Sequence, residues 1–114
     1  MNIEFIPTST FEKSYKRLKK KYVSLTDDLK RFQIDFSKNQ ELGVDLGNGF
    51  RKIRIAIQSK NKGKSKGARI ITYNLYTKKL DNVIILVDIY DKSRSDTIRE
   101  SEYKSIIQTF LKEG

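Results

Sequence analysis

The chain has 114 residues, with 24 Lys or Arg against 14 Asp or Glu, a formal net charge of +10, and neither Cys nor His. That length predicts a single domain over residues 1–114 with one buried core. The missing residue types exclude a disulfide framework, thiolate chemistry, imidazole acid–base catalysis and any metal site built on Cys or His.

No apolar run reaches the ~20 residues of a membrane helix, and no signal-peptide core opens the chain, so a cytosolic protein is expected. Neither GxxxxGK[ST] nor GxGxxG is present, so no nucleotide cofactor is expected.

Ile3–Ile6 alternates weakly and reads as a short first strand. Ser9-Thr10-Phe11-Glu12 reads as a capping box, and Phe11, Tyr15, Leu18, Tyr22 and Leu25 then recur at helical spacing. A second helix is predicted over Asp27–Lys38, with Leu25, Leu29, Phe32 and Phe36 on its apolar side. The Lys19-Lys20-Lys21 run near the end of the first helix reads as a solvated face favoured by the helix dipole. Gly43, Gly47, Asn48 and Gly49 predict a loop.

From Phe50 to Ile57 the chain alternates. Ile53, Ile55 and Ile57 point one way, and Lys52, Arg54 and Ala56 the other. Ser59–Gly67 reads as a flexible cationic hairpin loop, and Ala68–Tyr76 as the next strand. Val83–Ile89 is apolar on both faces and belongs in the middle of a sheet. Thr97-x-x-Glu100 is a second capping box, with Tyr103, Ile106, Ile107, Phe110 and Leu111 on the core face of a last helix. The order is strand, helix, helix, three strands, helix. Hairpin-joined strands predict a largely antiparallel sheet covered by helices, an α+β domain.

The charge is concentrated. Residues 51–69 carry eight cations and no acid: Arg51, Lys52, Arg54, Lys60, Lys62, Lys64, Lys66 and Arg69. Residues 1–50 hold nine Lys/Arg against seven Asp/Glu, and residues 70–114 seven against seven. A patch of this kind is the electrostatic footprint of a phosphate backbone. A lysine-rich loop with glycines also reads, more blandly, as a soluble loop.

Lys52 and Arg54 leave one face of their strand. Antiparallel pairing would bring Arg69, Tyr90 and Lys92 to the same rim of the sheet. Arg holds or neutralises charge but does not act as a base. Without His, a lysine whose pKa is lowered by like charges is the only plausible base for a ribose 2′-OH. Tyr90 or an ammonium would then protonate the leaving 5′ oxygen, on a substrate held in place from outside. Tyr90 also reads as an ordinary sheet-end aromatic. Glu12, Asp27, Asp28 and the other carboxylates read as solvated, and no carboxylate pair argues for metal-dependent cleavage.

Four segments carry a resemblance: Phe50-Arg-Lys-Ile-Arg-Ile-Ala, Lys62-Gly-Lys-Ser-Lys-Gly, Ala68-Arg-Ile-Ile-Thr-Tyr, and Ile84-Ile-Leu-Val-Asp-Ile-Tyr-Asp-Lys92. In these the chain resembles the RelE/ParE superfamily of bacterial type II toxins, in its HigB/RelE-like branch. The resemblance implies a RelE-like fold and a ribosome-dependent, metal-independent and cofactor-free mRNA endonuclease, which inhibits translation through 2′-OH attack. It matches Lys52, Arg54, Arg69 and Lys92 to the family's basic positions, and these four, with Tyr90 from the reading of the sheet rim, are the catalytic candidates. Arg51, Lys60, Lys62, Lys64 and Lys66 become the candidates for contact with mRNA and ribosomal RNA.

The implied partner is a cognate antitoxin, of helix-turn-helix type, which alone would link the toxin to operator DNA; no membrane partner is implied. Ser93 stands where many members place an arginine, and Asp96-Thr97-Ile98-Arg99 offers no counterpart to their C-terminal tyrosine. Two other readings stay open: a ParE-like inhibitor of DNA gyrase without chemistry of its own, and a non-catalytic RNA-binding protein.

Overall fold

The computed structural model describes residues 3–60, 66–75, 83–92 and 100–113. Among these residues the elements are β1 (Glu4–Pro7), α1 (Ser9–Lys21), α2 (Leu25–Lys38), β2 (Val44–Gly47), β3 (Phe50–Ile55), β4 (Ala68–Leu75), β5 (Val83–Asp91) and α3 (Glu100–Glu113), with a 3₁₀ turn at Gln58–Lys60. The protein is α+β. The five strands among the described residues form one sheet in the order β1-β5-β4-β3-β2, with β1 parallel to β5 and the other neighbours antiparallel. Among the described residues, no helix is long and apolar enough to cross a membrane.

The first helix starts one residue earlier than its sequence motif suggests. Thr8, not Ser9, is the N-cap: its Oγ1 accepts the Phe11 amide at 3.0 Å and donates to the Val87 carbonyl at 2.8 Å. One side chain therefore closes a helix end and ties it to β5. α2 begins at Leu25 rather than Asp27.

The expected loop at residues 43–49 instead holds β2, paired to the first residues of β3. Gly47, Asn48 and Gly49 have φ of 85°, 55° and 89°, so three successive left-handed residues turn the chain between the two strands. Only Gly and Asn occupy that region at low cost.

The isoleucine alternation in β3 holds. Ile53, Ile55 and Ile57 are buried with Phe11, Tyr22, Leu25, Phe32 and Phe36 beneath α1 and α2. On the opposite face Phe50, Ile71, Val83, Ile85 and Val87 pack with Tyr103 and Ile107 of α3. Each fully buried aliphatic side chain contributes about 1.5–3 kcal/mol from removal of apolar area from water. β5 is interior, and every residue from Val83 to Ile89 is buried. Leu111 lies outside the expected core face of α3: it is 46% exposed. The second capping box and Tyr76 lie outside the described residues, or reach beyond them.

A register shift in β5 sets up the functional face. Ile71 pairs with Asp88 but Thr72 pairs with Leu86, so Val87 is an extra residue. Before this bulge, Ile84 and Leu86 face α1 and α2; after it Ile89 does, and Tyr90 packs towards the α3 side. A bulge inserts one residue and so flips the side-chain alternation. Without it, Tyr90 would point into the core beneath α1 and α2.

Candidate functional site

The register places three predicted residues in one line across three strands. Arg54 pairs with Arg69, and Arg69 pairs with Tyr90. Directly paired residues share a face, so the row runs Arg54, Arg69, Tyr90 at the end of the sheet. Lys52 lies two residues along β3 on that face, opposite Ile71. Lys92 follows β5, and its amide donates to the Gly67 carbonyl at 3.0 Å, which carries the β4–β5 pairing one step beyond Ala68 and Asp91. A groove of about 560 Å³ at the outer edge of β3 is lined by Lys52, Arg54, Arg69 and Lys92, with Asp28, Arg31 and Asp35 of α2 on its far wall. So the structure brings four of the five catalytic candidates to one groove and sets Tyr90 beside Arg69.

These residues are not equally open. Arg54 and Lys92 are exposed and Lys52 and Tyr90 partly buried, whereas Arg69 is only 4% exposed. Burial and the neighbouring Arg54 charge lower the Arg69 pKa, while Tyr90 opposes that shift. Burial also raises the Tyr90 pKa above 10.0, so its phenol stays protonated at neutral pH and suits donation rather than abstraction of a proton.

The RNA-contact candidates divide differently. Arg51 is engaged inside the protein: its Nε donates to the Leu42 carbonyl at 3.0 Å, and its guanidinium donates to the Glu41 carbonyl at 2.7 Å. Lys60 is engaged too, with Nζ 2.5 Å from the Asp91 carboxylate and 5.4 Å from the centre of the Tyr22 ring. Lys66 is exposed. Lys62 and Lys64 lie outside the described residues, as do Ser93 and Asp96–Arg99.

Three carboxylates expected to be solvated are buried instead. Asp28 accepts the Ser24 hydroxyl at 2.7 Å and the Gln58 amide at 3.3 Å, and pairs with Arg31 at 3.2 Å. These bonds fasten the start of α2 to the segment after β3. Asp91 takes Lys60 on one oxygen and the Tyr22 hydroxyl on the other at 2.6 Å. Asp88 accepts the Ser14 hydroxyl at 2.7 Å, and Arg17 donates to that same hydroxyl at 3.4 Å. Burial raises the Asp88 pKa, opposed chiefly by the Ser14 hydrogen bond.

A signal for the β5 pair stood in the sequence. Asp88 and Asp91 interrupt a strand that is apolar on both faces, and a buried carboxylate requires partners. No protein-family model matches the chain.

Proposed function

We propose that this protein is the toxin of a type II toxin–antitoxin pair, a metal-independent endoribonuclease that cuts mRNA on the ribosome. The observation that carries this reading is the Arg54–Arg69–Tyr90 row with Lys52 beside it. In this mechanism Lys52 takes the proton of a ribose 2′-OH as its oxygen attacks the adjacent phosphorus. The phosphorus–5′-oxygen bond breaks, Tyr90 protonates the departing oxygen, and a 2′,3′-cyclic phosphate remains. Arg54 faces the phosphate directly. Arg69, enclosed beneath it, adds fixed positive potential to the charge that develops in the transition state.

The row lacks imidazole and is open on the Arg54 side, so orientation by the ribosome supplies the rest of the rate. Such a toxin works in the cytoplasm. Its antitoxin would present acidic residues to the groove that holds Lys52 and Arg54.

Primer extension on a reporter mRNA, in a purified translation system with and without ribosomes, tests the reading. Cuts are expected only with ribosomes and are expected to vanish in Arg54→Ala. An uncut message with normal translation would remove mRNA cleavage, and DNA damage on induction would point to gyrase instead.

A further inference from the structure

The near balance of charge in residues 1–50 conceals a segregation. α1 carries Lys13, Lys16, Arg17, Lys19, Lys20 and Lys21 against the single acid Glu12. The acids that offset them lie elsewhere: Asp27, Asp28 and Asp35 on α2, with Glu41 and Asp45 beyond it. All six α1 cations are exposed, and among the described residues none forms an ion pair. At 3.6 residues per turn, Lys13, Lys16, Arg17 and Lys20 fall within about 100° of arc. Phe11, Ser14 and Tyr22 occupy the opposite, buried side.

α1 is also held rigidly along β5. Thr8 bonds to Val87 at 2.8 Å, Ser14 to Asp88 at 2.7 Å and Tyr22 to Asp91 at 2.6 Å. These ties run the helix towards the strand end that bears Tyr90 and Lys92. Arg17 reaches the Ser14 hydroxyl over Asp88, and Lys21 lies 5.4 Å from the centre of the Tyr22 ring. The C-terminal end of the cationic stripe therefore lies over the same end of β5, with the Arg54–Arg69–Tyr90 row on the opposite face of the sheet.

We infer that the exposed face of α1 is a second nucleic-acid surface, which takes the phosphate backbone of an RNA duplex. From Lys13 to Lys20 the helix rises about 10 Å, the length of about three phosphates along one duplex strand. The stripe presents no exposed aromatic on which bases of a single strand would stack: Phe11 is buried, and Tyr15 is half-buried with its hydroxyl 2.8 Å from Thr26. Nor has it an apolar flank to insert into a bilayer, because the apolar side of α1 is already in the core. The choice of RNA over DNA rests on the function proposed for the row across the sheet.

The test compares Lys13→Gln/Lys16→Gln/Lys20→Gln with a control that loses the same charge elsewhere, Lys30→Gln/Lys38→Gln/Lys112→Gln. All six lysines are exposed. Binding is measured to a hairpin RNA duplex, a DNA duplex of the same sequence, an unstructured RNA and phosphatidylserine vesicles, across a salt series. The α1 variant is expected to lose about tenfold or more in duplex RNA affinity, with the log–log salt slope shallower by about 2 to 3. The control and the single-strand affinity should change little.

Equal losses in both variants would overturn the inference, as would tighter binding to the DNA duplex or a selective loss on vesicles. Ribosomal mRNA cleavage, measured in parallel, separates the two readings. Duplex loss without any wild-type cleavage leaves the α1 surface standing alone, and cleavage with unchanged duplex binding leaves only the row.

Discussion

Lys60 and Asp91 form a buried ion pair, with Nζ 2.5 Å from Oδ1, side-chain exposures of 11% and 1%, and the Tyr22 hydroxyl on the second carboxylate oxygen. Strand alternation gives this contact a consequence on the other face of the sheet. Asp91 is anchored towards α1, so its neighbour Tyr90 is directed to the row beside Arg69.

Removing this acid is therefore expected to weaken the site although it makes the protein more cationic. Asp91→Asn leaves the Lys60 ammonium buried without a counter-charge, which costs about 3 kcal/mol or more. At a temperature where the variant is still folded, its ribosomal cleavage should fall below wild type. A rise in both RNA affinity and cleavage would mean that Asp91 acts only as unfavourable charge. Urea melts of the Lys60→Met and Asp91→Leu single and double variants would isolate the pair, and the double variant should be more stable than either single one.

Arg54 and Arg69 face each other in register, but their substitution should have different effects. Arg54 is exposed, so Arg54→Ala is expected to change stability by under about 0.5 kcal/mol while abolishing cleavage. Arg69 is 4% exposed and donates to the Ala68 carbonyl at 3.2 Å. Its removal empties packed space and disturbs the hairpin, at about 2 kcal/mol. Lost activity in Arg69→Ala is thus not by itself evidence of phosphate contact. Paired thermal melts and primer extension decide the matter, and a cleaving Arg54→Ala protein would remove the row from the chemistry.

Asp88 gives the fold a defined response to pH. Burial raises its pKa above the ordinary 3.8, against the hydrogen bond from Ser14, while Arg17 and Glu102 act in opposite directions. The folded state thus binds the proton more tightly than the unfolded chain. This group's stabilising contribution is full below the unfolded carboxylate range, and is lost as pH rises through that range towards the folded value. Asp88→Asn keeps an acceptor for Ser14 without the charge, so its Tm should exceed wild type at pH 7. The gap should close below about pH 4. A lower Tm at pH 7 would show that the ionised carboxylate is the better partner for Ser14 and Arg17.

Much of this architecture was legible from local patterns. The isoleucine alternation of β3 predicted that Ile53 and Ile55 share one face and Lys52 and Arg54 the other; that the first face meets α1 and α2 is seen only in the fold. The apolar residues on both faces of β5 predicted an interior strand. β2 was hidden because Val44, Asp45 and Gly47 are exposed and four residues give no periodicity to read. The bulge at Val87 left no mark, because valine, isoleucine and leucine serve either face equally well. Lys60 looked like its neighbours in a cationic stretch; only the long-range approach of Asp91 distinguishes it, and composition cannot show that. Thr8 was missed as the cap because Ser9-x-x-Glu12 fits the capping box, whereas Thr8 has Phe11 at the third position.

Gly67 was likewise read as part of a loop, yet it closes the hairpin on which the row depends. It is buried, its carbonyl accepts the Lys92 amide, and a Cβ there would clash with the Ile55 carbonyl oxygen and crowd the Ala56 backbone. Ile55 pairs with Ala68 one step from the Arg54–Arg69 pair, so any separation of the strands at Gly67 spreads directly to the two arginines. Backbone atoms cannot move aside as a flexible side chain can. Gly67→Ala is thus expected to cost about 2 kcal/mol or more and to reduce cleavage beyond what its folded fraction explains. Gly47→Ala is the informative comparison. A Cβ there meets nothing within 4 Å, so its cost comes from the positive φ of 85° alone, at a turn remote from the row. It should lose stability while each folded molecule still cuts. Activity per folded molecule, obtained from cleavage rates and urea melts on the same samples, checks both variants. A Gly67→Ala protein that cuts like wild type per folded molecule would show that the arginine register tolerates an open hairpin base.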